Sequence, residues 1–122
     1  MQEVVQQVLG GDAEAFRLIL QAHGPSVRAM LASHIPDPHT VDDLAQETFI
    51  VAYEKLSTYD QEQDLGAWIR GIARNKLNMH LRRAYTHDHA LERIRARIAT
   101  RLQQDVDAVK QAKPHERIDR LN

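Results

Sequence analysis

Apolar residues in this chain recur at three- and four-residue intervals almost from end to end, and no run alternates over the length that a half-buried strand needs. That period confines the chain to helices. Val4, Val5, Val8 and Leu9 make a first stripe that stops at Gly10-Gly11. Asp12 is placed to cap a second helix, with Ala15, Phe16, Ile19 and Leu20 at helical spacing. Gly24-Pro25 is expected to break or bend it, after which Val27, Met30 and Leu31 carry the stripe to about Ser33. Pro36-Asp37-Pro38 reads as a loop. A length of 122 residues and an apolar fraction of 43% suit one ordinary domain with a single core, so the expected fold is all-α, a compact helical bundle with a long C-terminal helix.

The next two helices differ in sign. One is expected to start at Thr40, whose hydroxyl can cap it while Asp43 stands at the third helical position. Leu44, Thr48, Phe49, Ala52, Tyr53 and Leu56 share its inner face, leaving Asp42, Asp43, Gln46, Glu47, Ile50 and Glu54 outside. Ser57 to Gln63 is a polar connection, and Asp64 can cap the following helix. That helix buries Leu65, Trp68, Ile69, Ile72, Ala73, Leu77 and Leu81, with Arg70, Arg74, Lys76, Asn78, Arg82 and Arg83 left outside. Gly71 in its interior costs about 1 kcal/mol relative to alanine, which points to close packing or to close approach of a partner.

Tyr85-Thr86-His87-Asp88 reads as an interruption before a last helix from about Asp88 to Ala112, whose Leu91, Ile94 and Ile98 are expected to pack on the bundle. Pro114 should end it. The organisation expected is therefore a helical domain over 1–87, a helical linker over 88–112 and a tail over 113–122 that has too little apolar surface to fold alone.

Net charge is −1, which by itself speaks against a polyanionic partner, but the charges are segregated. From Asp37 to Asp64 the only Lys or Arg is Lys55; from Arg70 to Arg101 nine cations face only Asp88 and Glu92. Such a division suggests one basic partner and one polyanion. With no cysteine there is neither a disulfide framework nor a thiolate metal site, which agrees with a reducing cytoplasm. No basic start precedes an apolar run, and no stretch approaches the length of a membrane span, so a soluble cytoplasmic protein is expected. His80, His87 and His89 are close in sequence but lack a carboxylate pair beside them, and no nucleophile stands next to a base in a recognisable pattern. Neither a metal, a cofactor nor an enzyme activity is expected.

The runs Gly11-Asp-Ala-Glu-Ala-Phe, Asp42-Asp-Leu-Ala-Gln-Glu-Thr-Phe-Ile-Val-Ala-Tyr, Ala67-Trp-Ile-Arg-Gly-Ile-Ala-Arg-Asn and His80-Leu-Arg-Arg, in that order and spacing, resemble region 2 of the extracytoplasmic-function group of bacterial sigma factors. The resemblance covers roughly Val4 to Arg83. It implies a transcription initiation factor that binds core RNA polymerase and recognises and helps to melt the promoter −10 element. Asp42, Asp43, Gln46, Glu47 and Ile50 match the family positions that dock on the clamp helices of the largest polymerase subunit, where carboxylates around an apolar contact combine steering with a desolvated anchor. The loop that begins Ser57-Thr58-Tyr59 and the basic helix match the surface that captures a base flipped out of the non-template strand. Asn75 matches the asparagine near that pocket, Arg74, Lys76, Arg82 and Arg83 are candidates for phosphates, and Arg70 completes the DNA-binding set. Trp68 also matches a family position and is read as core.

The chain departs from the pattern at Met79, where an aspartate is frequent, and at Gly71, where a larger or basic residue is frequent. The family also implies a second helical domain reading the −35 element, toward which 113–122 would lead, and an anti-sigma factor is a further expected partner. The competing reading is a helical interaction module whose acidic face binds a basic partner and whose arginines are merely solvated.

Overall fold

In the computed structural model, residues 1–111 are described and fall into helices and short 3-10 turns, with no strand among them. Helix α1 spans Gln2–Leu9, α2 Phe16–Ala32, α3 Pro38–Lys55 and α4 Leu65–Gln111; 3-10 turns at Ala13–Ala15 and Leu56–Thr58 lead into α2 and out of α3. The chain divides into one unit over Met1–Leu81 and a second from Arg82 onward.

The first unit holds the core. Val5 and Val8 of α1, Phe16, Ile19, Val27 and Leu31 of α2, Val41, Leu44, Ala45, Phe49 and Ala52 of α3, and Leu65, Ile69, Ala73 and Leu77 of α4 form one buried cluster, closed by Ile35 and Leu56. Thr48 is the one buried polar side chain there among the described residues, and its hydroxyl donates to the Leu44 carbonyl at 2.7 Å, so it leaves no unpaired group in the core.

Several local expectations are corrected by geometry. Asp12 makes no side-chain cap, because a 3-10 turn at Ala13–Ala15 intervenes before α2. Gly24-Pro25 does not break α2, which runs through Pro25 without interruption. Gly24 lacks the Cβ that would clash with the proline ring, and Ile19 and Val27, both fully buried, clamp the helix on either side. Helix α3 starts at Pro38, not Thr40: the fixed φ of proline suits the first helical position, and Asp37 caps it, accepting from the His39 N–H at 3.2 Å and from the Thr40 hydroxyl at 2.9 Å. Val41 and Ala45 join the inner face of α3, whereas Tyr53 is exposed at its rim, edge-on to Phe16 with ring centroids 5.2 Å apart.

Asp64 caps α4 as expected, accepting from the Ala67 N–H at 3.0 Å. Phe49 is buried, Trp68 and Ile72 are half-buried against the core, and Leu81 is exposed. The interruption expected at Tyr85–Asp88 is absent, since no proline or capping side chain there stops the backbone ladder and α4 continues to Gln111. In the second unit no described side chain from Arg82 to Gln111 is buried, and Leu91, Ile94 and Ile98, expected to be packed, are exposed. The end expected at Pro114 and the tail over 113–122 lie outside the described residues.

Candidate nucleic-acid interface and docking face

On α3 the period that buries Leu44, Thr48 and Phe49 turns Asp43, Gln46, Glu47 and Ile50 outward, with Ile50 57% exposed among polar neighbours. Asp42 is half-buried and differs from them, because Arg28 of α2 is hydrogen-bonded and ion-paired to its carboxylate. Asp43 and Glu47 have no ion-pair partner among the described residues. Beside this face, an apolar groove of about 710 Å³ runs between α2 and α3, lined by Phe16, Leu20, Phe49, Ile50 and Tyr53 and edged by Arg28, Gln46 and Glu54. Two of the five expected docking residues, Gln46 and Ile50, therefore border a cleft as well as forming a surface.

Across the unit, where α3 ends and α4 begins, a second cavity of about 450 Å³ is lined by Val51, Lys55, Thr58, Ala67, Trp68, Gly71, Ile72, Asn75 and Lys76. Three of the expected DNA-binding residues, Thr58, Asn75 and Lys76, are brought together here. Asn75 is exposed and Lys76 half-buried. Lys55 was missed by sequence reasoning; its signal was that it is the lone cation in an acidic run, placed just before the polar loop. Gly71 is not closely packed, since a Cβ there would meet nothing within 4 Å, so the absence of a side chain opens the cavity wall. Trp68 lines the cavity, and its ring packs on Tyr59 at a centroid distance of 5.1 Å.

The loop is ordered by its own hydrogen bonds. Asp60 accepts from Glu62 N–H at 3.0 Å through its carboxylate and from Gln63 N–H at 2.9 Å through its carbonyl, while the Tyr59 hydroxyl donates to the Gln63 carbonyl. Burial, with Asp64 and Asp60 nearby, pushes the Tyr59 hydroxyl pKa up, so the phenol stays a neutral donor. Ser57 is exposed at the loop entrance, and Thr58 donates to the Lys55 carbonyl at 2.7 Å.

Arg70 is on a different face of α4. Successive residues turn by about 100°, which puts it about 140° from Asn75. Its guanidinium lies 3.8 Å from the Asp64 carboxylate and 3.4 Å from the Ser26 hydroxyl, away from the cavity that Asn75 lines. Arg74 is exposed in the first unit; Arg82 and Arg83 are exposed in the second. Behind the loop, a polar chamber of about 410 Å³ is lined by Gln2, Val5, His23, Tyr59, Gln61 and Asp64 among others. Burial holds the His23 pKa below its ordinary value; Asp64 opposes that shift, and Arg70 and the N-terminal amine reinforce it.

No helix among the described residues is long and apolar enough to cross a membrane, and no cluster of His, Cys, Asp or Glu among them could hold a metal ion.

Comparison with known proteins gives this arrangement a family. The pattern Sigma-70 region 2 matches residues 19–86. The chain is 31% identical over 83 residues to the ECF RNA polymerase sigma factor BldN of Streptomyces coelicolor, covering 67% of this chain and 31% of that protein. It is 40% identical over 76 residues to the ECF RNA polymerase sigma factor SigF of Caulobacter vibrioides, covering 62% of this chain and 42% of that one. The chain thus spans less than half the length of these relatives. An engineered region 2 of sigmaE, solved in complex with GTAAAA, superposes with a TM-score of 0.61 at 31% identity over 66% of this chain and 83% of that one. The chain belongs to the sigma-70 region 2 family, in the form found in extracytoplasmic-function sigma factors.

Proposed function

We propose that this chain is the promoter-opening part of an extracytoplasmic-function sigma factor. Its role is binding, not catalysis, and it acts in the cytoplasm where polymerase works. Asp43, Gln46, Glu47 and Ile50 dock on the clamp helices of the largest subunit of core RNA polymerase, with Asp42 acting from its pair with Arg28. The non-template strand of the −10 element enters the cavity beside Asn75, and the loop from Ser57 to Gln63 closes on a flipped base. Arg74, Lys76, Arg82 and Arg83 meet backbone phosphates. Residues 1–87 carry these tasks, 88–112 form the linker, and 113–122 lead toward a −35-reading domain. An anti-sigma factor that covers either face fits the same surfaces.

The observation that carries this reading is the convergence of Thr58, Lys55, Trp68, Asn75 and Lys76 on one open cavity. A base needs a flat apolar wall, a polar group for its edge and cations for its phosphates, and all three are present there. A helical interaction module gives no reason for such a cavity, and the similarity to a region 2 solved with GTAAAA favours the DNA reading over it.

Binding of fluorescent single strands tests it. Asn75→Ala is expected to narrow the preference for a −10-like strand over a scrambled one, because the wrong base already leaves the amide unpartnered. Arg82→Ala or Arg83→Ala is expected to weaken binding to both strands and to flatten the dependence on salt by about 0.7 in slope per phosphate lost. Equal loss on both strands for Asn75→Ala would make the asparagine structural and move the pocket elsewhere.

A further inference from the structure

Arg70 belongs to the basic helix but is turned away from the cavity, and its surroundings say what it does. Its guanidinium reaches Asp64 at 3.8 Å and the Ser26 hydroxyl of α2 at 3.4 Å. Asp64 closes the loop: it caps α4 through the Ala67 N–H at 3.0 Å, and its carbonyl accepts from Trp68 N–H at 3.1 Å. Gly66 makes room for the contact, since a Cβ there would come 3.0 Å from Arg70 Nη1 and 3.1 Å from His23 Nδ1. The His23 ring fills the gap beside it, with Nε2 enclosed and without a hydrogen-bond partner. The loop has a second tie from behind, Gln6 Nε2 of α1 donating to Gln61 Oε1 at 2.8 Å.

We propose that Arg70 is not a nucleic-acid contact but the positioning residue of the base-reading loop, acting through Asp64 and Ser26 to hold residues 59–64 against α2 and so set the shape of the cavity on the loop's other side. The inference rests on the DNA-binding role of that cavity. The planar guanidinium suits the task, because it can face a carboxylate and a hydroxyl at once from one rigid fork, which an ammonium cannot match. Trp68 connects the two sides: its backbone N–H is held by Asp64, and its ring lies against Tyr59 and lines the cavity. A loop released from Arg70 therefore alters the wall that a base would meet.

Two variants of the intact chain separate the possibilities. Asp64→Asn keeps an acceptor for the Ala67 N–H and removes the charge that faces Arg70; Arg70→Gln removes the other half. As a positioning pair, both variants reduce the preference for a −10-like strand over a scrambled one several-fold, both leave the salt slope unchanged, and the double variant is no worse than either single one. Arg70→Lys recovers the preference only in part. Both single variants also speed amide exchange across residues 61–67, with circular dichroism unchanged.

A phosphate contact predicts the opposite sign for the acid. Arg70→Gln would then flatten the salt slope by about 0.7, and Asp64→Asn would tighten binding by removing a negative charge near the strand. That pair of results overturns the proposal. If the unaltered chain shows no preference between strands, the DNA reading falls by itself; amide exchange then decides whether Arg70 holds the loop through Asp64, and unchanged exchange in Arg70→Gln overturns that.

Discussion

His23 occupies a position that the helical period of α2 reserves for the core, four residues after Ile19 and four before Val27, and both of those neighbours are fully buried. Its ring is drawn partly inside, where burial outweighs the attraction of Asp64 and holds its pKa below 6.5. The unfolded chain takes up a proton near that ordinary value while the folded one resists, so the unfolded state binds more protons in the window below about 6.5. Stability is therefore expected to fall as pH drops through that window and to stop falling once His23 is charged in the folded state as well. Thermal melts between neutral and mildly acid pH check this, with His23→Gln expected to flatten that part of the profile. A sequence can place His23 on the inner face by its spacing, yet nothing in the spacing reveals that Nε2 has no partner. Arg70 was equally opaque: it looks like one more cation in a basic run, and its partners, Asp64 and Ser26, lie outside any helical ladder that a period could expose.

At the level of the helix, α3 shows why faces are easier to read than ends. The inner row Leu44, Thr48, Phe49 and Ala52 was legible because burial follows the period directly, and the acidic outer row followed as its complement. The cap was misplaced by three residues because Thr40 and Asp37 are both good caps, and only the backbone decides which of them turns its oxygen toward the free N–H groups. Asp43 and Glu47 stand one turn apart on the outer row with no cation to neutralise them among the described residues, whereas Asp42 is already occupied by Arg28. Reversing both charges, Asp43→Lys with Glu47→Lys, is expected to slow association with core polymerase by about tenfold or more while helix content stays the same. Stopped-flow association with purified core enzyme measures it. The same reversal at Asp42 would be a poorer probe, since it would also strand Arg28.

For the molecule as a whole, the all-helical class and the core of the first unit could be read from the pattern of apolar residues, but the fate of the apolar residues beyond Arg82 could not. Leu91, Ile94, Ile98, Leu102, Val106 and Val109 repeat like core and are exposed, because a period records only that one face is apolar and not whether anything covers it. Stability is accordingly uneven. The first unit has a shared core, while a helix segment without buried side chains is marginal on its own. Heating is expected to lose part of the circular dichroism signal before the emission of Trp68 changes, since that ring packs on the core of the first unit; coincident curves would count against separate units. The cavity at the start of α4 has its own consequence. Gly71 stands on a helical turn with free space where a side chain would go, so its backbone disfavours the helix without any packing constraint that demands it. An aperture of that kind can be narrowed by successively larger residues at one position, each a better helix former than glycine, which gives selection a dial for altering what the cavity admits while the core behind it stays untouched.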